Sequence, residues 1–225
     1  MVPAVTVTGV PDMVHQVILK GAALRSWLQA PALELAPQLL GAVLTTRRPD
    51  GRVTLRITEV EAYEGALDPG SHAYRGPTLR NGVMFGEPGH LYVYRHLGLH
   101  HCANLVCGPV GRASAVLLRA GQVIGGADIA RTRRTRAGVC RTDPDLARGP
   151  ARLTVALALT AVDDGVDVCG PRGSVTLAVS PGSAANEASS GPRVGVSGAG
   201  GDAVAFPWRF WSSGEPTVSA YRRAP

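Results

Sequence analysis

The chain has 225 residues, of which 45% are hydrophobic, a formal charge of +6 and a pI of about 9.6. This length and apolar content suit one globular domain with a substantial core. The sequence has no run of about 18 apolar residues and no basic N-terminal segment followed by a long apolar one, so it predicts neither a membrane span nor a signal peptide. The basic balance favours a polyanionic partner without identifying it. We therefore expect a cytoplasmic protein.

Cysteine and histidine usage raises the question of disulfides and metals. The four cysteines are scattered and no export signal accompanies them, so we expect reduced thiols at Cys102, Cys107, Cys140 and Cys169. The run from Gly98 to Cys107 is rich in histidine and is predicted to be irregular. Zinc sites usually present regularly spaced ligand pairs, and no second pair follows this run, so no metal site is predicted.

The N-terminal part of the chain predicts an arm, a helix and a strand. Residues 1–20 show no strong pattern and are predicted to be a loosely ordered arm before a single domain over residues 21–225. From Ala32 to Leu44 the leucines recur at near-helical spacing, which predicts a short helix with Pro37 in its first turn and then a strand through Val43. A polar turn covers residues 45–51.

The most informative predicted strand ends in two acidic residues. Its first half alternates polar side chains with three apolar ones, Val53, Leu55 and Ile57. Continuing the alternation places Glu59, Glu61 and Tyr63 on the same side as these apolar residues. Buried carboxylates are costly unless they are partnered or used in chemistry. Alternatively, the alternation breaks at a bulge or at the strand end and leaves one glutamate in solvent.

A polar loop and a second strand follow. The loop carries His72, Arg75 and Arg80, side chains that bond phosphates and bases, and surface loops commonly carry binding residues. Residues 91–94 alternate as a strand with Tyr92 and Tyr94 on one face.

The second half of the chain predicts alternating strands, helices and loops. Residues 113–120 form a third strand that ends near Arg119, and residues 121–138 suit a short basic helix with most of its arginines in solvent. Pro150 is predicted at the first position of another helix. Residues 181–192 are rich in Ser, Ala and Gly and are predicted to be a flexible loop. Residues 193–211 are predicted to form strands and aromatic packing.

Several short sequence blocks occur along the chain in a fixed order. The blocks are Glu59-x-Glu61-Ala62-Tyr63, Ser71-His72-Ala73, Arg80-Asn81-x2-Met84-Phe85, Pro88-Gly89-x-Leu91-Tyr92-Val93-Tyr94, Cys102-x-Asn104, Leu117-Leu118-Arg119-Ala120, Gly149-Pro150-x-Arg152-Leu153 and Arg193-Val194-Gly195-Val196. In their order and separations they resemble the alkyladenine (3-methyladenine) DNA glycosylases, and the likeness runs from about Leu33 to Ser219. Because several independent blocks match, this resemblance is specific.

The resemblance implies a fold and an activity. The expected fold is a mixed α/β, β-rich single domain with a curved antiparallel sheet, resembling an open barrel, and flanking helices. The expected activity is removal of alkylated or deaminated purines from duplex DNA by a monomeric enzyme of base excision repair, associated with the nucleoid in a bacterial-type cell. A base inside a duplex is inaccessible, so such an enzyme must flip the nucleotide into a pocket.

The resemblance also implies site roles. Glu61 matches the catalytic carboxylate that activates a water, and Arg119 matches the residue that helps to hold this water and keeps Glu61 ionised. Glu59 is expected to have a supporting role. The residues that match the family's base-binding positions are Tyr63, His72, Tyr94 and Asn104. Asn104 would discriminate against purines with an amino group at C2, and Leu97 stands at the position of the DNA wedge. Arg75 and Arg80, in the polar loop, are expected to contact the DNA backbone.

Lysine usage bears on the mechanism. Glycosylases that also nick the strand attack C1′ with an amine, and Lys20 is the only lysine in the chain. The N-terminus is the other available amine. Neither lies near the acidic strand in sequence, so we expect hydrolysis by water, without metal or cofactor.

Two alternatives stay open. A non-catalytic nucleic-acid-binding protein would not need Glu61, the aromatic residues and Arg119 together, and a hydrolase of free nucleosides would not need the arginine-rich loop.

Leu97 departs from the pattern of the resembled family, which often has tyrosine at this position. Leucine can serve as an apolar wedge but lacks a ring that stacks on bases. We expect Leu97→Tyr to strengthen the hold on flipped DNA by about 1 kcal/mol, on the scale of base–aromatic stacking. Duplex affinity and base-flipping fluorescence measure this change, and equal values for parent and variant would contradict it.

Overall fold

The computed structural model describes residues 17–96, 98–182 and 188–224. The helices are α1 (Gly21–Trp27), α2 (Ala32–Gln38), α3 (Ala127–Ala137) and α4 (Pro150–Leu157). The strands are β1 (Val43–Arg48), β2 (Gly51–Tyr63), β3 (Leu91–His96), β4 (His100–Cys107), β5 (Ser114–Gly125), β6 (Val175–Ala178), β7 (Ala188–Gly191) and β8 (Arg209–Ser212). Short 3-10 helices cover Gly65–Leu67, Gly82–Phe85, Asp143–Leu146, Ala161–Asp163 and Ala199–Gly201.

The strands form one antiparallel sheet that does not close into a barrel. Its main order is β3-β4-β5-β2-β1-β6, and β8 pairs with the end of β2 and with β7. The main core contains side chains of all four helices together with one face of the sheet. A smaller apolar cluster, which includes Met84 and Tyr92, is formed where the segment that joins β2 to β3 packs against β3, β4 and β5. The predicted mixed α/β fold with a curved antiparallel sheet and flanking helices is confirmed.

Strand β2 corrects the predicted direction of the glutamates. Its register against β5 shifts on both sides of Glu59, which marks a bulge. Beyond this bulge Val60 and Ala62 pack in the same core as Val53, Leu55 and Ile57. A one-residue shift exchanges the two faces of a strand, so Glu59, Glu61 and Tyr63 face away from the main core. The prediction that they share the face of the apolar residues is therefore wrong, whereas their burial is confirmed.

Other elements also differ from their predictions, and the polar turn predicted over residues 45–51 is mostly strand β1. The run from Gly98 to Cys107 is mostly strand β4, because its buried residues occupy both strand faces and so hide the usual alternation. Pro37 lies in the last turn of α2 and not in the first, so its missing N–H removes one hydrogen bond of the helix. Residues 121–125 continue β5, and the basic helix α3 begins at Ala127. Within it, Arg133 is buried and forms a bidentate ion pair with Asp50.

The predicted N-terminal arm and the predicted flexible loop both contain residues with backbone pairing. Residues 1–16 of the predicted arm lie outside the described residues, whereas Leu19 exchanges two backbone hydrogen bonds with Val179. Within the predicted loop at 181–192, residues 188–191 form β7. In the described part of the chain, no helix is long and apolar enough to cross a membrane.

The N-terminus of α2 is capped by side chains from the sheet. The Ala32 N–H donates to Ser114 Oγ at 2.9 Å, and the Leu33 N–H donates to Glu64 Oε1 at 3.0 Å. Ser114 Oγ in turn donates to Glu64 Oε2 at 3.1 Å. A carboxylate at a helix N-terminus satisfies open N–H groups and complements the helix dipole. These contacts attach α2 to β5 and to the segment that follows β2.

Ser114→Ala is expected to lower the free energy of unfolding by about 1–2 kcal/mol, the usual cost of a lost cap. The change leaves the Ala32 N–H without its acceptor and removes one donor from Glu64. Urea denaturation measures the loss. Ser26→Ala, at an exposed position in α1, is the matched control and should change stability by less than about 0.5 kcal/mol. Equal effects of the two substitutions would contradict the capping role.

Candidate active site

A cavity of about 350 Å³ opens on the sheet face opposite the main core. Its size lies in the usual range of small-ligand sites, about 300–1,000 Å³. The end of β2, strands β3 to β5 and the segment around Val194 supply its walls. The predicted site residues among its lining are Glu61, Tyr63, His72, Tyr94, Asn104 and Arg119.

Glu61 is the buried acid of this cavity. Its side chain is 0% exposed. Oε1 lies 3.1 Å from Arg119 Nη1 and accepts the Val194 N–H at 2.7 Å, while Oε2 accepts the Tyr63 hydroxyl at 2.9 Å. Arg119 and these two donors give the buried carboxylate an ion pair and two hydrogen bonds. A carboxylate has about four acceptor sites, so one further donor, such as a water, can still bind.

Glu59 fixes the guanidinium that faces Glu61. Oε1 accepts from Nε of both Arg119 and Arg209 at 2.7 Å, and Oε2 accepts the Ser219 N–H at 2.7 Å. Burial by itself raises the pKa of Glu59, but the two arginines and the Ser219 N–H bring it below its ordinary value of 4.5. Burial likewise opposes ionisation of Arg119, but the charges of Glu61 and Glu59 outweigh it and raise the pKa of Arg119. Both groups therefore stay charged near neutral pH.

Tyr63 and Tyr94 are the aromatic residues supplied by β2 and β3. Burial, and then the Glu61 carboxylate, raises the pKa of Tyr63 well above 10, so its hydroxyl remains a donor. The His72 ring lies 4.5 Å from the Tyr94 ring in an edge-on arrangement, and its Nδ1 is 3.1 Å from the Tyr92 hydroxyl. Partial burial, with the charges of Arg80 and His96, lowers the pKa of His72 below 6.5. His72 is therefore neutral at pH 7.

Asn104 and Asn81 are held by hydrogen bonds in different parts of the site. Asn104, from β4, donates through Nδ2 to the Tyr92 carbonyl at 3.0 Å, which leaves its Oδ1 as an acceptor beside the cavity. The buried Asn81 accepts the Thr78 N–H at 2.6 Å and donates to the carbonyls of His72 and Gly76. Asn81 thus fixes the loop that carries His72.

The predicted DNA-contacting residues lie on the surface around this cavity or outside the described residues. Arg75 and Arg80 are exposed on the same loop. The Arg80 guanidinium lies 5.3 Å from the centre of the Tyr94 ring, so this arginine stands at the aromatic wall. Leu97, the predicted wedge, lies outside the described residues.

The thiols and histidines of the described residues are not grouped as metal ligands. All four cysteines are free. Burial raises the pKa of Cys102, and it raises the pKa of Cys107 to about 12. Over residues 17–96, 98–182 and 188–224, no three His, Cys, Asp or Glu side chains are placed to hold a metal ion together.

Sequence reasoning missed several groups that support the site. Arg193 forms a buried bidentate ion pair with Asp68, Arg209 shares Glu59 with Arg119, and the Val194 backbone bonds Glu61. Arg193 and Val194 stand in one of the sequence blocks that carry the resemblance, but no local pattern shows that they meet β2. For Arg209, the neighbouring aromatic residues were the only available signal.

Comparison with known proteins shows the family of the chain. The model of the Methylpurine-DNA glycosylase (MPG) family matches residues 26–216. The chain belongs to the methylpurine-DNA glycosylase family. Members are DNA glycosylases, which hydrolyse an N-glycosidic bond. The family resemblance inferred from the sequence blocks is thereby confirmed.

Bacterial relatives match most of the chain. Proteins from Streptomyces avermitilis and Leifsonia xyli subsp. xyli are 57% and 56% identical to it over 199 residues, covering 88% and 87% of this chain and 91% of each relative. A protein from Frankia casuarinae is 49% identical over 202 residues, covering 85% of this chain and 89% of the relative. Each carries the name "Putative 3-methyladenine DNA glycosylase".

Glu59→Gln is expected to destabilise the protein by about 3 kcal/mol at pH 7, because it leaves two buried guanidiniums without their shared carboxylate. The pKa of Glu59 is lower in the folded protein than its ordinary value of 4.5. The stability that ionised Glu59 contributes is therefore fully present above pH 4.5 and is lost as the pH falls through the lower, folded-state pKa. Urea denaturation at pH 7 and at lower pH tests both points. Glu34→Gln, at an exposed position in α2, is the control. A stability difference that persists unchanged into acid would contradict the assignment.

Proposed function

We propose that this methylpurine-DNA glycosylase flips alkylated or deaminated purines out of duplex DNA and hydrolyses their N-glycosidic bond with a water activated by Glu61. The observation that carries the proposal is a fully buried, ion-paired carboxylate at the wall of an aromatic cavity. The product is an abasic site. The names of the bacterial relatives support 3-methyladenine as one substrate.

The base-binding part of the proposal uses the aromatic side chains. An extruded purine stacks between Tyr63 and the pair formed by His72 and Tyr94. Stacking on tyrosine favours any flat base, and a cationic base such as 3-methyladenine gains further from cation–π attraction. The neutral state of His72 supports this role, because a charged imidazole would repel a cationic base. Asn104 presents an oxygen beside the cavity and discriminates among purines by their substituent at C2.

The chemical step uses the free acceptor site of Glu61. A water held there donates a proton to the carboxylate as its oxygen approaches C1′ and the glycosidic bond breaks. The negative charge of Glu61 also stabilises the positive charge that develops on the sugar. Arg119 helps to hold the water and keeps Glu61 ionised in this low-polarity site. Because the reaction needs no amine, the single lysine is consistent with a monofunctional enzyme.

The DNA outside the flipped nucleotide is contacted by the surface around the cavity. Arg75 and Arg80 bind the phosphate backbone, and Leu97 fills the gap in the base stack. We propose that the enzyme acts as a monomer without cofactor. Its relatives are bacterial proteins, and we propose that it acts on DNA at the nucleoid.

Glu61→Gln is expected to reduce excision of damaged purines by at least 100-fold, the lower end of the contribution of a general base, while binding to damaged duplex is retained. Single-turnover excision from oligonucleotides carrying 3-methyladenine, 7-methylguanine, hypoxanthine or ethenoadenine measures the rate. A gel-shift assay measures binding.

Two controls complete the excision experiment. The matched substitution Glu34→Gln changes an exposed position of α2, a helix that packs in the main core and not at the cavity. This variant should excise like the parent. Borohydride should trap no covalent complex, and free nucleosides should react far more slowly than duplex. Unchanged excision by Glu61→Gln would disprove the proposed mechanism, and equal activity on nucleosides would favour a nucleoside hydrolase.

A further inference from the structure

We propose that Arg193, paired with Asp68, is a positioning residue for base excision. It supports the stacking residue Tyr63 from the side away from the cavity, and it places the Val194 N–H on Glu61. The inference rests on the proposed function, since it assigns Arg193 a part in the same reaction.

The Arg193 guanidinium is held in one place from several directions. Its side chain is 0% exposed, and Nη1 and Nη2 donate to the two oxygens of Asp68 at 2.6 and 2.7 Å. Nη1 also donates to the Ala62 carbonyl at 3.0 Å, and Nη2 donates to the Gly200 carbonyl at 2.7 Å. Bidentate, charge-assisted bonds of this kind fix both the position and the plane of a guanidinium.

Tyr63 rests on this guanidinium. The Arg193 carbon Cζ lies 4.5 Å from the centre of the Tyr63 ring, within the range of cation–π attraction. Tyr63 lines the cavity and Arg193 does not. The guanidinium therefore supports one ring face and leaves the other to the cavity. Phe206 and Trp208 lie 5.6 and 5.3 Å away and complete the enclosure of Arg193.

The same residue also controls one contact of the acid. Val194 follows Arg193 directly in the chain, and its N–H donates to Glu61 Oε1 at 2.7 Å. The bond from Arg193 to the Ala62 carbonyl joins this segment to β2 between Glu61 and Tyr63. One fixed guanidinium thus sets the position of Tyr63 and of a donor to Glu61.

The space around the guanidinium is closely filled. A Cβ atom at Gly70 would lie 2.6 Å from Arg193 Nη2, and one at Gly200 would lie 2.3 Å from the Gly70 nitrogen. Lysine fits the same volume and keeps the charge, but it has one nitrogen in place of the fork that reaches Asp68, Ala62 and Gly200 together. Arg193→Lys therefore tests the geometry rather than the charge.

The main test compares Arg193→Lys with Arg133→Lys. Arg133 is also buried, forms a bidentate pair with Asp50 and donates to the Ala156 carbonyl, but it belongs to α3 on the other side of the sheet. We expect Arg193→Lys to lower the single-turnover excision rate at least tenfold. Arg133→Lys should excise like the parent, although it too loses a bidentate pair. The side chain of Asp50 is 56% exposed whereas that of Asp68 is 0% exposed, so thermal melting measures the structural cost of each variant separately.

Two further readouts separate positioning from general stability. In the Glu61→Gln background, Arg193→Lys should weaken binding to damaged duplex at least threefold and leave binding to undamaged duplex unchanged. In the Tyr63→Leu background, the rate loss from Arg193→Lys should shrink, because residues that act through one another are not additive. A purely structural role would reduce both kinds of binding together and give additive losses.

The outcomes distinguish this inference from the proposed function. If Arg193→Lys is folded and excises as fast as Arg133→Lys, the inference is overturned while the function stands. If the parent excises no damaged base, or Glu61→Gln excises as well as the parent, the proposed function itself fails. If Arg193→Lys does not fold, Asp68→Asn takes its place, since it keeps the shape of the carboxylate and weakens the pair. A folded Asp68→Asn enzyme with the parental rate would also overturn the inference.

Discussion

The structure depends on a network of buried charges at the end of β2. Three carboxylates, those of Glu59, Glu61 and Asp68, meet three guanidiniums, those of Arg119, Arg193 and Arg209. Buried ions are costly unless paired and hydrogen-bonded, and here each carboxylate has an arginine together with backbone or hydroxyl donors. The three carboxylates and three guanidiniums balance in formal charge, and the chemistry that we propose uses Glu61 as an anion.

The bulge in β2 allows the core and the cavity to share one strand. Before the bulge, the strand contributes Val53, Leu55 and Ile57 to the main core. At the bulge the faces exchange, so the acidic residues turn toward the cavity while Val60 and Ala62 continue the core. The Glu61 carboxylate, for which we propose the catalytic role, is thus attached to a well-packed strand instead of a loop. A support of this kind keeps a catalytic group in productive geometry.

Elements far apart in the sequence complete the site on this strand. Strand β5 supplies Arg119, the segment after β7 supplies Arg193 and Val194, and β8 with the residues beyond it supplies Arg209 and Ser219. The loop with His72, Arg75 and Arg80 remains exposed beside the cavity, which suits a surface that meets a large polyanionic partner. The protein therefore separates the buried groups proposed for chemistry from the exposed groups proposed for DNA.

The sequence by itself determined the family, the fold class and the presence of a buried acid beside aromatic residues, because these follow from local patterns and from the order of the blocks. Tertiary structure decided which face of β2 the glutamates occupy. The apolar alternation changes phase between Ile57 and Val60, but only the pairing of β2 with β5 shows that a bulge lies there. Tertiary structure also decided that Glu59 takes two arginines and that Arg193 lies behind Tyr63. Arg119 and Arg209 lie 60 and 150 residues from Glu59 in the chain, and only packing of the whole domain brings them within hydrogen-bonding distance of it.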